Sequence, residues 1–229
     1  MKVVEQFVSI NGEGKKAGQL AYFVRFAGCN LNCEYCDTKW ANEKEVRYEE
    51  YSPAQLVDII FSKGIKNVTL TGGEPLLQRD MKELLTLLEK RICKEKTETD
   101  GLDYRIEIET NGSVDIKPFL EFSHVVMTLD YKTGVSGMEQ YMYPDNYKNL
   151  RKQDTVKFVV GSKKDLEMGL QVVEQYHLIE KGCGIYYSPC FGKIDPKEIV
   201  EFLTEHNLNG VNLQLQLHKF IWDPEQKGV

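Results

Sequence analysis

With 229 residues, 41% hydrophobic and 28% charged, the chain is long enough to bury a sizeable core and too apolar to remain disordered. A net charge of −6 excludes broad electrostatic binding of nucleic acid or an anionic membrane surface, while leaving room for a local basic pocket. The opening MKVVEQFVSINGEG carries Glu5 and lacks the apolar run of a signal peptide, and no stretch reaches the ~18 apolar residues of a spanning helix. A cytoplasmic protein is expected, without nucleic acid or membrane as a partner.

In chain order, AYFVRFAG (21–28) is a β-rich run that delivers the chain into a cysteine-bearing loop. SPAQLVDIIFSKG (52–64) predicts a helix, with Ser52 as cap, Pro53 in the first turn, Gln55 closing a capping box and Gly64 as terminator. NVTLTGGEP (67–75) is a short strand stopped by Gly-Gly. Asp80 and Glu83 open a second helix over 80–92. Strands follow at 104–112 and 124–130, a strand and helix at 155–160 and 162–176, and a strand at 184–189. A cap-Pro-box helix at 195–207 and a strand at 210–217 complete the series. The charged segment 94–103 predicts a solvated loop, and 134–146 an irregular connection long enough to be a lid.

Such alternation predicts an α/β fold of right-handed βαβ units, a partial, open (β/α) barrel of about six parallel strands in one domain over 1–229. Ligands in these folds gather at the C-terminal ends of strands. The cysteine loop, TGGEP, ETNG (109–112), LDYK (129–132) and SPC (188–190) all fall at such ends. They are expected to form one composite site.

Cys29, Cys33 and Cys36 fall within GCNLNCEYCDT (28–38), with gaps of three and two residues, whereas Cys93, Cys183 and Cys190 are scattered and read as small apolar residues. A structural zinc ion takes four ligands, commonly in two paired motifs, and neither a second Cys pair nor histidine spacing supplies them. A [4Fe–4S] cluster has four irons, each wanting one outside thiolate, so three thiolates leave one iron for a small ligand.

Cys-x3-Cys-x2-Cys resembles the signature of the radical S-adenosylmethionine (SAM) superfamily. The resemblance implies that Cys29, Cys33 and Cys36 are the catalytic cluster ligands. It also implies that SAM chelates the open iron and is cleaved by one electron to a 5′-deoxyadenosyl radical. Tyr35 matches the aromatic position near the adenine, and an aromatic packing the loop explains it equally. Gly73 and Glu74 of TGGEP match the superfamily's Gly-Gly-Glu motif, its backbone expected to approach the ligand. Glu109 and Asn111 offer groups for the ribose, and a turn closed by Asn-Gly explains them nearly as well.

SINGEG (9–14), FVRFAGCNLNCEYCDT (23–38), TLTGGEP (69–75) and QLQLHKFIWDPEQKGV (214–229) together resemble the 7-carboxy-7-deazaguanine synthase family, in order and spacing, to the last residue. That implies 6-carboxy-5,6,7,8-tetrahydropterin as substrate, ring contraction with loss of ammonia on the route to queuosine, and regeneration of SAM. The family's positions assign Ile10, Asn11, Gly12, Arg25, Thr71 and Val229 to substrate, and Thr38 to magnesium. They assign Asp130, Tyr131, Lys132, Ser188, Pro189, Cys190 and Phe191 to SAM. Asn11 stands where relatives often have Gln, and of their Ser-Pro-Lys only Lys132 is identical. Phe220, Ile221 and Trp222 are expected to anchor the tail that carries Val229. A homodimer and a reducing partner such as a flavodoxin or ferredoxin are implied as well. Two alternatives are a glycyl-radical enzyme activase, with a protein substrate, and a simple iron–sulfur electron carrier.

Overall fold

Alternation along the strands divides the molecule into an apolar outer shell and a polar interior. In the computed structural model, which describes residues 1–95, 104–223 and 226–228, nine strands form one sheet in the order β3-β1-β2-β4-β5-β6-β7-β8-β9. These are β1 (Lys2–Ile10), β2 (Leu20–Phe26), β3 (Glu49–Glu50), β4 (Asn67–Gly72), β5 (Arg105–Thr110), β6 (Val125–Lys132), β7 (Thr155–Val160), β8 (Gly184–Pro189) and β9 (Val211–Leu213). Strands β2 and β4 through β9 pair in parallel, while β1 pairs antiparallel with β2 and β3. The ends β3 and β9 do not pair, so the expected open, partial barrel is present with one more parallel strand and an antiparallel flap.

Helices α1 (Pro53–Ser62), α2 (Met81–Glu95), α4 (Lys163–Gln175) and α6 (Pro196–Glu205) cover the outer face. Their apolar stripes meet the outward residues of the strands, including Val24, Leu70, Ile108, Leu129, Phe158 and Tyr187, in one buried core. The caps read from sequence are formed. Ser52 Oγ accepts from Gln55 N at 3.2 Å while Gln55 Oε1 accepts from Ser52 N at 2.8 Å, and Asp195 with Glu198 repeats the arrangement on α6.

As read from the sequence, no α-helix joins β5 to β6, where a 3-10 turn at Lys117–Phe119 interrupts the connection. Two expectations change. The segment 134–146 contains two 3-10 turns and runs into α3 (Pro144–Lys148). Buried Asn146 ties it down by donating to Gly112 O and Val114 O at 3.0 and 2.8 Å. The strand expected over 210–217 ends at Leu213, because Gln214 turns to clamp the β1–β2 loop through Gly14 N (2.7 Å) and Gly14 O (3.1 Å). The two remaining helices are α5 (Leu178–Lys181) and α7 (His218–Ile221). Most of the charged segment 94–103 lies outside the described residues.

At the base, Asp154 is fully buried and holds three elements together. It accepts from Met127 N (2.9 Å) and from Arg151 N, Nε and Nη2 (2.8–2.9 Å), while the same guanidinium donates to Leu120 O and Val125 O. Removing one partner of such a pair leaves a buried charge uncompensated. Asp154→Ala should therefore cost about 3–5 kcal/mol in denaturant unfolding, and a loss below 1 kcal/mol would contradict this reading.

Candidate active site

The cysteine loop leaves the end of β2 and is seated on the end of β4 by backbone contact. Gly73 N donates to Phe26 O (3.1 Å), Glu74 N to Gly28 O (2.8 Å) and Gly28 N to Ala41 O (3.2 Å). A Cβ at Gly73 would lie 2.0 Å from Gly28 O and 2.2 Å from Asn42 Oδ1, and one at Gly72 (φ +143°) would lie 2.3 Å from Phe26 O. The Gly-Gly of TGGEP is thus required for the close approach of two protein backbones. The sequence reading assigned that approach to a ligand, and both glycines also border the cavity.

That cavity, about 870 Å³, opens at the C-terminal ends of the strands. Its wall includes Cys29, Cys33, Cys36, Tyr35, Thr38, Arg25, Thr71, Glu109, Asn111, Asp130, Lys132, Lys157, Cys190 and Phe191. Burial raises the Cys33 and Cys36 thiols, with Lys132 and the Thr38 amide respectively pulling the other way. Among the described residues, no three His, Cys, Asp or Glu side chains converge on a single ion position. Three thiols on one cavity suit a multi-iron group that takes one thiolate per iron. The Tyr35 ring lines the cavity with its hydroxyl buried and unpartnered, and Lys132 Nζ lies 5.6 Å from the ring centroid. An unsatisfied buried hydroxyl beside the thiols fits a polar ligand there.

Adjoining the cysteine loop is a network of charges on the concave faces of β6 and β7. Asp130 binds Lys132 Nζ (2.7 Å) and Lys157 Nζ (3.2 Å), and Lys157 also reaches Glu13 (3.1 Å). Ser188 Oγ and Gln216 Nε2 donate to Glu13 at 2.9 and 3.2 Å. Against burial, which lowers it, the carboxylates of Asp130, Glu13 and Glu109 hold Lys157 well above the ordinary ammonium value. Burial raises Asp130 but is outweighed by its two lysines, so it stays below the usual carboxylate value. Burial pushes Glu109 up to about 7 despite Lys157. Sequence reasoning missed Glu13 and Lys157. The signal for Lys157 was a charge inside the apolar run TVKFVV, and for Glu13 its place within SINGEG.

On the β1–β2 side, Arg25 donates through Nε to Glu5 (2.6 Å), beside the stacked rings of Phe7 and Phe23 at 4.9 Å. Ile10 and Gly12 border the cavity, and a Cβ on Gly12 would lie 2.7 Å from His218 Nδ1. Thr38 donates its hydroxyl proton to Asp37 Oδ1 (2.8 Å), leaving oxygen lone pairs for a hard cation. Desolvation raises Asp37, but this bond and the positive charge of Lys219, Arg25 and His218 hold it below the usual value.

Several expected contacts are not brought to the cavity. Tyr131 lies on the other face of β6, packed on Tyr147 (5.3 Å) and Phe158 (5.6 Å), because neighbours along a strand point to opposite sides. Pro189 is likewise off the wall, and Ser188 is buried against Glu13. Asn11 is buried with Oδ1 accepting from Thr69 Oγ1 (2.9 Å), the shorter side chain serving the barrel interior. Glu74 is fully buried behind the wall, accepting from Leu76 N (3.0 Å), Thr110 Oγ1 (2.9 Å) and Asn111 N (2.7 Å). Phe220 and Ile221 are exposed, so they do not anchor the tail. Lys227 instead lies over Trp40 at 4.2 Å and brings Gln226–Gly228 to the cavity, while Val229 lies outside the described residues.

Residues 23–134 match the model of the radical SAM superfamily, and the thiol-lined cavity at the strand ends is where such an enzyme would work. The 7-carboxy-7-deazaguanine synthase of Clostridium acetobutylicum is 52% identical, covering 100% of this chain and 99% of its own. That of Leptospira interrogans is 36% identical over 99% and 97%. QueE from Escherichia coli has a similar fold, with TM-score 0.72 and 23% identity over 94% of this chain and 93% of its own. The chain belongs to the 7-carboxy-7-deazaguanine synthase family of the radical SAM superfamily.

Two outcomes follow from this geometry. Gly73→Ala should leave secondary structure largely intact yet reduce cluster iron after anaerobic reconstitution about tenfold, because backbone cannot yield as a side chain does; full iron loading would refute the seating role. Burial raises Glu74 to about 7. Between that value and the unfolded value near 4.5, the folded protein holds a proton the unfolded chain has released. Stability from this group is therefore complete below about pH 4.5 and lost as pH rises through 7, by about 3 kcal/mol at most. Glu74→Gln should flatten the fall in urea midpoint between pH 5 and 7.5, and an unchanged slope would contradict it.

Proposed function

We propose that this protein converts 6-carboxy-5,6,7,8-tetrahydropterin to 7-carboxy-7-deazaguanine, a carbon–nitrogen lyase reaction on the route to queuosine. The observation that carries the reading is a triplet of cluster-type thiols opening onto a cavity whose walls also hold Arg25, Lys157 and Glu109. The cluster and SAM, when bound, would supply one-electron radical chemistry at the substrate carbon. The net change is loss of ammonia, with SAM regenerated, so no external oxidant enters the balance.

The chain's own residues bind, orient and handle protons. Cys29, Cys33 and Cys36 would hold the cluster, and Tyr35, Gly73 and Lys132 border the place SAM would take. Glu5 fixes the plane of the Arg25 fork, which suits the substrate carboxylate. Glu109, with a carboxyl near neutrality, can hold a proton on an oxygen and donate it in a hydrogen bond to substrate or ribose. Thr38 would supply one hard oxygen to magnesium. The chain acts as one radical SAM domain and as a homodimer in the cytoplasm, reduced by a flavodoxin- or ferredoxin-type donor. Among the described residues no helix is long and apolar enough to cross a membrane. The relatives carry synthase names over nearly their whole length, which favours this reading over a glycyl-radical activase.

The test is anaerobic reconstitution, reduction and incubation with SAM and the carboxypterin. Product and ammonia should appear in equal amounts without net SAM consumption; SAM cleavage indifferent to the pterin would overturn the assignment. Thr38→Ala should keep its cluster spectrum but lose stimulation by magnesium, and retained stimulation would remove Thr38 from the metal site.

A further inference from the structure

Asn111 follows β5 at the cavity wall, and its side-chain amide is engaged by the protein itself. Nδ2 donates to Cys29 Sγ at 3.5 Å and to Asn30 Oδ1 at 3.0 Å, while Oδ1 accepts from Ser113 N (3.0 Å) and Ser113 Oγ (2.6 Å). All four hydrogen-bonding positions of the amide are occupied. Because a backbone N–H can meet only the oxygen, Ser113 N fixes which end of the amide faces the sulfur. Asn30 Nδ2 donates to Ser113 Oγ at 2.8 Å and closes a ring of three side chains. Behind the ring, buried Glu74 holds Asn111 N at 2.7 Å and Thr110 Oγ1 at 2.9 Å. Cys29 Sγ also accepts from Leu31 N at 3.4 Å. Among the described residues, Asn111 is the one side-chain donor placed on a sulfur of the triplet.

We propose that Asn111 tunes the cluster, its N–H on the Cys29 sulfur raising the reduction potential. The proposal rests on Cys29, Cys33 and Cys36 being cluster ligands. One electron from a low-potential donor adds negative charge that is shared by the sulfurs. An N–H donor therefore stabilises the reduced state more than the oxidised one. Losing the donor shifts the equilibrium toward the oxidised cluster.

The test uses full-length protein reconstituted anaerobically and titrated by electron paramagnetic resonance without SAM or pterin. Asn111→Leu should shift the one-electron equilibrium about tenfold toward the oxidised cluster, equivalent to about 59 mV. Asn111→Asp, isosteric but lacking the N–H and adding charge, should shift it further, and Ser113→Ala less. In unaltered protein labelled with 15N-asparagine, the reduced cluster should show hyperfine coupling to a side-chain nitrogen. Unchanged potentials in variants with full iron content, or no coupling in the labelled protein, would overturn the proposal. Failure of the unaltered protein to take up a four-iron cluster would instead sink the ligand assignment.

Discussion

Everything at the active end depends on how closely two backbones approach where β2 and β4 finish. The carbonyl of Gly28 occupies the space that any side chain at Gly73 would need. The cysteine loop is therefore referenced to the sheet through peptide groups, the stiffest parts of the chain. Loops that carry function usually gain precision by being mounted on rigid elements. Here the mounting is a steric lock, and Glu74, one residue beyond the glycines, extends it to the neighbouring strand through Thr110 and Asn111.

A second organising feature is the polarity of the concave face. A closed parallel barrel fills its interior with branched apolar side chains. In this sheet Thr69, Thr71, Glu107, Glu109, Thr128, Asp130, Thr155 and Lys157 occupy successive inward positions, while their neighbours along each strand pack on the helices. Such groups are costly to desolvate unless paired. The pairs that form set the character of the site: Asp130 sits between two lysines, and Glu109 stays near neutrality.

Much of this was legible in the chain. The capping boxes at Ser52 and Asp195 place two helices, and the triplet of cysteines places the site at the strand ends. Strand β1 was missed because its inward residues, Glu5, Phe7 and Ser9, mix charge, aromatic ring and hydroxyl and obscure the usual alternation. Tyr131 and Lys132 are adjacent in sequence, and only the pleat separates the one that faces the cavity from the one that faces the core. The role of the double glycine could not be read because its neighbour, Gly28, is distant in sequence. Steric exclusion between remote backbones leaves no local pattern.

Strand β6 serves two environments at once, with Asp130 and Lys132 turned inward and Tyr131 turned to an aromatic cluster with Tyr147 and Phe158. Adding or deleting one residue within it would exchange the ionic wall for a phenol and bury two opposite charges in hydrocarbon. Length variation across the lineage should then be confined to the connections, such as 133–154, while the eight positions of this strand keep their count.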